Sequence, residues 1–151
     1  MSKMLIDFKN INYTKFSIAS VILCIWQLPQ VLVSLFLLGF IHGGMHKYRN
    51  PHTGMTVWRM DHSFRSLWSL GPFIFVPDGE PSRLLKHETG HSVQSLYLGP
   101  LYLFVVGIPS AILLQIRRKK KKDEDWYYAH FPEGWANKLG GVTDDEQSKQ
   151  A

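Results

Sequence analysis

Two histidines and a glutamate lie together in the pentapeptide His87-Glu88-Thr89-Gly90-His91. Residues four positions apart share one face of an α-helix, so both imidazoles can reach a single metal ion. Glu88 then lies beside that ion, where its carboxylate can take a proton from a bound water. The spacing predicts one Zn²⁺ ion with His87 and His91 as ligands and Glu88 as the general base of a hydrolytic reaction.

The flanking residues predict the helix that must present this motif. Apolar and polar positions recur at helical spacing over Leu84–Leu98, and Gly99-Pro100 ends the pattern. On the other side, turn residues at 78–81 precede Ser82, as is typical of a helix start. The motif therefore falls inside a helix of roughly sixteen residues.

A second short helix is expected further along the chain. Pro132 and the residues up to Leu139 form a helical pattern that Gly140-Gly141 closes. Within it, Glu133 and Asn137 are four residues apart and share a face. A catalytic zinc usually has three protein ligands and a water, so a ligand from outside the first motif is required.

The two motifs together resemble those of gluzincins, metallopeptidases whose H-E-x-x-H histidines are joined by a glutamate from a later helix. Membrane-bound gluzincins carry E-x-x-A-D there, and this chain has Glu133-Gly-Trp-Ala-Asn137. The resemblance implies that Glu133 is the third metal ligand. It also implies that Asn137 replaces the aspartate that orients a ligating histidine, as a hydrogen-bond acceptor without charge.

Over roughly residues 67–142, the chain is also similar to small bacterial membrane-associated proteins with H-E-x-G-H-x-x-Q-S followed by L-G-P-L-Y. The implied activity is zinc-dependent endopeptidase hydrolysis of a peptide or protein substrate near a membrane.

His130, Tyr127 and Tyr128 are candidate donors to the oxyanion, because they lie close in sequence to Glu133. Aromatic packing at a helix entrance is the alternative for each of them. Phe73–Val76 is the expected edge strand beside the substrate.

Composition and charge indicate association with a membrane. The chain has 151 residues, enough for one domain, and a formal net charge of +5. Residues 16–41 carry no charge and are long enough to span a bilayer; we expect a single kinked helix, with two half-spans as the alternative. The basic run 117–122 favours anionic lipid, and no motif indicates a nucleic-acid partner. We expect a bacterial inner or plasma membrane, in an orientation that flanking lysines leave open.

These patterns predict an α+β, mainly helical fold in three parts. An N-terminal transmembrane anchor occupies residues 1–42, a minimal zincin-like domain 43–142 and a flexible tail 143–151. Short runs rich in β-branched and aromatic residues at Met55–Met60 and Leu70–Val76 predict strands.

A second apolar block occupies residues 96–116. A complete crossing would put everything after it on the opposite side of the membrane from His87, so we expect a re-entrant or core segment.

Two functions without catalysis remain alternatives. One is a membrane protein with a structural zinc site, or a pseudo-peptidase that acts as a binding module. The other is a small basic membrane-active protein, which would leave both motifs unexplained. Structural zinc sites usually have four protein ligands and favour cysteine, and the single cysteine, Cys24, lies far from the motif in sequence.

Overall fold

The computed structural model describes residues 11–40, 43–62, 67–77, 79, 82–143 and 145–146. Residues 78, 80 and 81 of the expected turn, the ends of the expected anchor and most of the expected tail therefore lie outside the described residues. The fold is α+β and mainly helical, as predicted. Its helices are α1 (Ile18–Trp26), α2 (Leu28–Leu38), α3 (Ser82–Leu98), α4 (Ile108–Lys120), α5 (Glu124–Ala129) and α6 (Glu133–Gly140). Its strands are β1 (Met45–Arg49), β2 (Thr56–His62), β3 (Trp68–Leu70) and β4 (Phe73–Pro77).

The apolar segment before the sheet folds as two short helices, whereas we expected a single kinked helix. Helices α1 and α2 meet at Gln27 with a bend of 95°. Pro29 lies in the first turn of α2, where its missing N–H is harmless; in a continuous helix it would remove a hydrogen bond and clash with the preceding turn. In the described part of the chain no single helix has the length and apolarity needed to cross a membrane, whereas α1 and α2 meet that requirement jointly.

Helices α1 and α2 turn their polar side chains towards the protein. Gln27, Gln30 and Ser34 are buried. The Gln30 amide donates to the Ser95 hydroxyl at 3.0 Å and to the Gly99 carbonyl at 2.7 Å. The outward faces are apolar instead, with side chains between 39% and 82% exposed at Ile18, Val21, Ile22, Ile25, Leu28, Leu32, Val33, Leu35 and Phe36. Polar side chains therefore face the protein, and apolar side chains face outwards.

The four strands form one sheet in the order β1-β2-β4-β3, in which only β2 and β4 run parallel. The predicted strand Leu70–Val76 is divided into β3 and β4 by a turn at Gly71, whose φ of 63° suits glycine. The expectation that Phe73–Val76 is the edge strand was wrong, because β4 lies between β2 and β3. Of the two edge strands, β1 and β3, it is β3 that packs against α3.

A hydrophobic core joins the sheet to helix α3. Val57 and Ile74 from the sheet pack with Leu85 and Val93 from α3, and all four are buried. This packing uses one face of α3, so the motif histidines are held on another. The predicted helix around the motif is confirmed as the 17-residue α3.

The second apolar block does not form one straight helix. A 3₁₀ turn at Gly99–Leu101 and a π-helical segment at Leu103–Gly107 separate α3 from α4. The chain then passes through α4 and α5 into α6, which packs against α3. Residues beyond the block thus return to the helix that carries the motif.

Candidate metal centre

His87 and His91 lie one turn apart on α3 and are both buried. The Nδ1 atom of His87 is 2.7 Å from Oδ1 of Asn137, and Nδ1 of His91 is 2.7 Å from Oε1 of Gln94. A carbonyl oxygen can only accept, so each Nδ1 donates a proton. Each Nε2 is then directed away from these partners and can bind a metal once it has released its proton.

Glu133 on α6 brings the third donor to the same point. Its Oε2 lies 3.1 Å from Nε2 of His87 and 3.3 Å from Nε2 of His91, and the residue is 1% exposed. Bonds of zinc to nitrogen and oxygen place neighbouring ligand atoms of a tetrahedron about 3.3 Å apart. The three ligand atoms all lie within 4.8 Å of one another, so this buried group can hold one metal ion.

Close packing of glycines sets the distance between α3 and α6. A Cβ atom at Gly90 would lie 1.9 Å from the carbonyl oxygen of Ala136, and one at Gly140 would lie 2.0 Å from that of Lys86. Only glycine allows the two backbones to approach this closely. The approach brings Glu133 and Asn137, one turn apart on α6, within reach of the imidazoles.

Gln94 links the two helices beside His91. Its side-chain amide donates to the carbonyl of Pro132 at 3.0 Å, which leaves its oxygen for His91. The amide is therefore fixed at both ends, and its orientation follows from the Pro132 contact. His91 and the start of α6 are held by the same side chain.

The carboxylate of Glu133 is fixed from its other side by Ser110. The hydroxyl of Ser110, on α4, donates to Oε1, while Oε2 faces the two imidazoles. One oxygen is thus held by the protein and the other is directed at the metal position. Three helices, α3, α4 and α6, meet at this group.

The donors stabilise each other's charge when no ion is bound. Burial lowers the pKa of His91, but the hydrogen bond and charge of Glu133 outweigh it and raise that pKa to about 9. Burial likewise opposes ionisation of Glu133, yet hydrogen bonds from His87 and His91 hold its pKa well below the usual range. Glu133 therefore stays a carboxylate, the form in which it can bind a metal.

Glu88 lies in the same buried region and lines the cavity beside the metal ligands. Burial is the main cause that raises its pKa, and the negative charge of Glu133 adds to it, whereas the imidazoles lower it. A carboxylate with a raised pKa has a higher proton affinity, which suits a general base or acid near neutral pH.

A cavity of about 850 Å³ opens beside these residues. Leu67, Leu70, Leu84 and Leu114 give it apolar walls. Both the edge strand β3 and the helix α4 contribute to its lining, and so do His87, Glu88, His91 and Glu133. The volume is in the range of small-molecule and peptide side-chain sites.

The candidate oxyanion donors lie in different places. Tyr127 and Tyr128 are buried and line the cavity, and the ring of Tyr128 packs edge-on against His87 at 5.1 Å. Burial and the charge of Glu133 raise the pKa of Tyr127, so its hydroxyl remains protonated and can donate. His130 is exposed, packs against Trp126, donates from Nδ1 to the Trp126 carbonyl at 2.6 Å and does not line the cavity.

Three residues of this site were not identified from the sequence: Gln94, Ser110 and Tyr102. The phenol of Tyr102 is buried in the cavity wall and donates to the Ser69 carbonyl at 2.9 Å. Ser69 also contacts Ser92 of α3 through their hydroxyl groups at 2.9 Å. These contacts hold the edge strand β3 against α3, the helix that carries both histidines.

Comparisons of this chain with models of protein families, with curated proteins and with solved structures found no match. The site's geometry is therefore the basis for the function proposed below.

Proposed function

We propose that this chain is a membrane-associated zinc metallopeptidase. The observation that carries the proposal is the convergence of His87 Nε2, His91 Nε2 and Glu133 Oε2 beside Glu88 in a cavity. Two imidazoles, one carboxylate and an open side are the ligand pattern of catalytic zinc. A zinc ion bound there would supply Lewis acidity to a water and to a substrate carbonyl.

The protein's own groups have separate roles in this proposal. Glu88 accepts the proton of the attacking water and passes it to the leaving amine. The Tyr127 hydroxyl, held protonated by burial and by Glu133, donates a hydrogen bond to the developing oxyanion. Asn137 and Gln94 keep the imidazoles in the tautomer that leaves Nε2 free.

The position of the polar residues in α1 and α2 supports attachment to a membrane. Their amides and hydroxyls are turned inwards, while the exposed side chains are large and apolar. Large contiguous exposed apolar surface is uncommon on a monomer in water and often marks an interaction or membrane surface. The same character continues on α4, where Ile108 and Ile112 are 51% and 54% exposed. The enzyme would then act on peptides near the bilayer.

If the zinc site were structural and not catalytic, a different number of protein ligands would be expected. A structural site is usually closed by four protein ligands. In the described ranges of the chain the group contains three, His87, His91 and Glu133, and it borders a cavity. An open position of this kind supports catalysis over a structural site.

The test combines metal analysis with a proteolysis assay on the full chain in detergent. Glu88→Gln should retain close to one zinc per chain and lose hydrolysis of a quenched fluorescent peptide library. Glu133→Ala should lose zinc, whereas the control Glu146→Gln, which removes an ion pair with Lys86, should retain both zinc and turnover.

Each outcome has a separate meaning. Turnover in Glu88→Gln would remove Glu88 as the base, and unchanged zinc in Glu133→Ala would place the third ligand elsewhere. Full zinc occupancy without hydrolysis of any peptide would favour the non-catalytic alternative.

A further inference from the structure

One end of the cavity beside the metal ligands is cationic. We call it the basic end; its residues are Arg117, Arg118, Lys121 and Lys122, at the end of α4 and in the turn after it. Neighbouring side chains hold two of them. Arg117 donates to Glu124 at 3.2 Å and lies over the ring of Tyr127, while Lys122 lies over the ring of Trp126 at 5.9 Å.

The other two cations, Arg118 and Lys121, are exposed and make no ion pair with any residue in the described ranges. Acidic side chains among the described lining residues are confined to Glu88 and Glu133, which belong to the metal centre. Arg118 and Lys121 therefore have no ion-pair partner in the described part of the chain, and the cavity lining near them offers none. A ligand that brings carboxylates would supply such a partner.

Helix α4 sets the distance between the basic end and the metal centre. Ser110, which holds Glu133, lies on the same cavity wall as Leu114, Arg118 and Lys121. With a rise of 1.5 Å per residue, Arg118 is about 12 Å and Lys121 about 16 Å from Ser110 along the axis. An extended peptide advances about 3.3 Å per residue, so these distances correspond to about four or five residues.

We propose that this cavity selects acidic peptides, and that Arg118 and Lys121 bind a carboxylate about four or five residues from the scissile bond. The proposal deepens the peptidase function above and rests on it for the position of the scissile bond. The cationic side chains Lys119 and Lys120 lie on the same helix, are exposed and do not line the cavity. They are the matched control, since an anionic membrane surface would use the whole run 117–122 and not two members of it.

The test is peptide binding, measured by fluorescence anisotropy on the zinc-loaded full chain with Glu88→Gln, in uncharged detergent micelles. Two labelled peptides share an apolar centre and differ only at the fourth and fifth residues on each side, which are Glu in one and Gln in the other. We expect the Glu peptide to bind about threefold to tenfold tighter, because ion pairs of exposed side chains are modest and two of them would form. Arg118→Gln/Lys121→Gln should abolish that preference, and Lys119→Gln/Lys120→Gln should retain it.

Two results would overturn the proposal: equal affinity for the two peptides, or equal losses in the two double variants. The second would show that the charge of the whole run 117–122, and not Arg118 and Lys121 in particular, attracts the peptide. Because the readout is binding, a preference for Glu without any zinc-dependent cleavage by the wild-type chain would contradict the peptidase function and leave acidic-peptide binding established. Zinc-dependent cleavage without a preference for the Glu peptide would contradict the selection of acidic peptides and leave the peptidase function intact.

Discussion

The Nδ1 atom of His87 and the Oδ1 atom of Asn137 lie 2.7 Å apart and join α3 to α6. An amide carbonyl accepts the imidazole proton as a carboxylate would, but it does not add negative charge to the ring. The contact therefore fixes the tautomer of His87 and leaves its basicity lower than an aspartate would. Asn137 and Glu133 come from the same face of α6, so one helix supplies both a ligand and the partner of another ligand.

Two replacements of Asn137 should have different effects on zinc affinity. Asn137→Leu removes the acceptor and should weaken zinc binding by about 10- to 100-fold, the usual effect of losing such a partner. Asn137→Asp should bind zinc at least as tightly as the wild type, because the added charge raises the basicity of His87. Competition with a chromophoric chelator measures both, and wild-type affinity in Asn137→Leu would rule out the orienting role.

Gln94 should be as important for His91 as Asn137 is for His87. Gln94→Leu removes the acceptor for His91 and leaves the Pro132 carbonyl without its donor. We expect weaker zinc binding and a less stable fold, by about 1–3 kcal/mol for the unsatisfied groups. Gln94→Glu keeps an acceptor and should recover more of the zinc affinity than of the stability, as chelator competition and urea unfolding would report. Equal recovery of both would contradict the separation of the two roles.

Gly90→Ala should separate α6 from α3. The new methyl group would meet the Ala136 carbonyl, a backbone atom that cannot move without shifting α6 and the Glu133 it carries. The expected loss is about 1–3 kcal/mol of unfolding free energy, together with zinc binding. Gly107→Ala is the control: its nearest neighbour would be a leucine side-chain atom at 3.7 Å, so zinc binding should be unchanged. Similar losses in both variants would mean that the close approach at Gly90 is unimportant.

Because α2 turns its polar face inwards, exchanging Gln for Leu on that face and Leu for Gln on the outer face should affect different properties, stability in the first case and lipid binding in the second. Gln30→Leu leaves the Gly99 carbonyl without its donor and should destabilise the protein in detergent by about 1–3 kcal/mol. Leu32→Gln changes a side chain that is 56% exposed, so it should fold normally and partition less into lipid vesicles. Thermal unfolding and vesicle flotation measure the pair. A stable Gln30→Leu with unchanged flotation of Leu32→Gln would contradict this assignment of faces.

The elements around the metal centre could be predicted from short-range patterns. The spacing of His87 and His91 indicated α3, and Gly140-Gly141 indicated the end of α6. The signal for Gln94 was also present, because it follows His91 by three residues and so lies on the same side of the helix.

Other features depend on distant contacts that no local pattern contains. Ser110 on α4 and Glu133 on α6 are 23 residues apart in the chain and meet only in the folded protein. The strand predicted at Leu70–Val76 was divided because Gly71 adopts a positive φ, and a glycine in an apolar run is equally compatible with a bulge or a turn. Because of this division, the edge strand is β3, and β4 lies inside the sheet. Burial of Gln27 and Gln30 likewise follows from partners on α3, more than sixty residues away.

The separation of the donors along the chain has a consequence for biosynthesis. His91 precedes Glu133 by 42 residues, and the carboxylate reaches the imidazoles only after α6 has docked through its glycines. A nascent polypeptide that has been translated as far as α4 has both histidines and Glu88, the proposed general base. It does not yet have Glu133, the third proposed ligand. Under the proposed function, the chain would therefore be inert until α6 has been translated and has packed against α3.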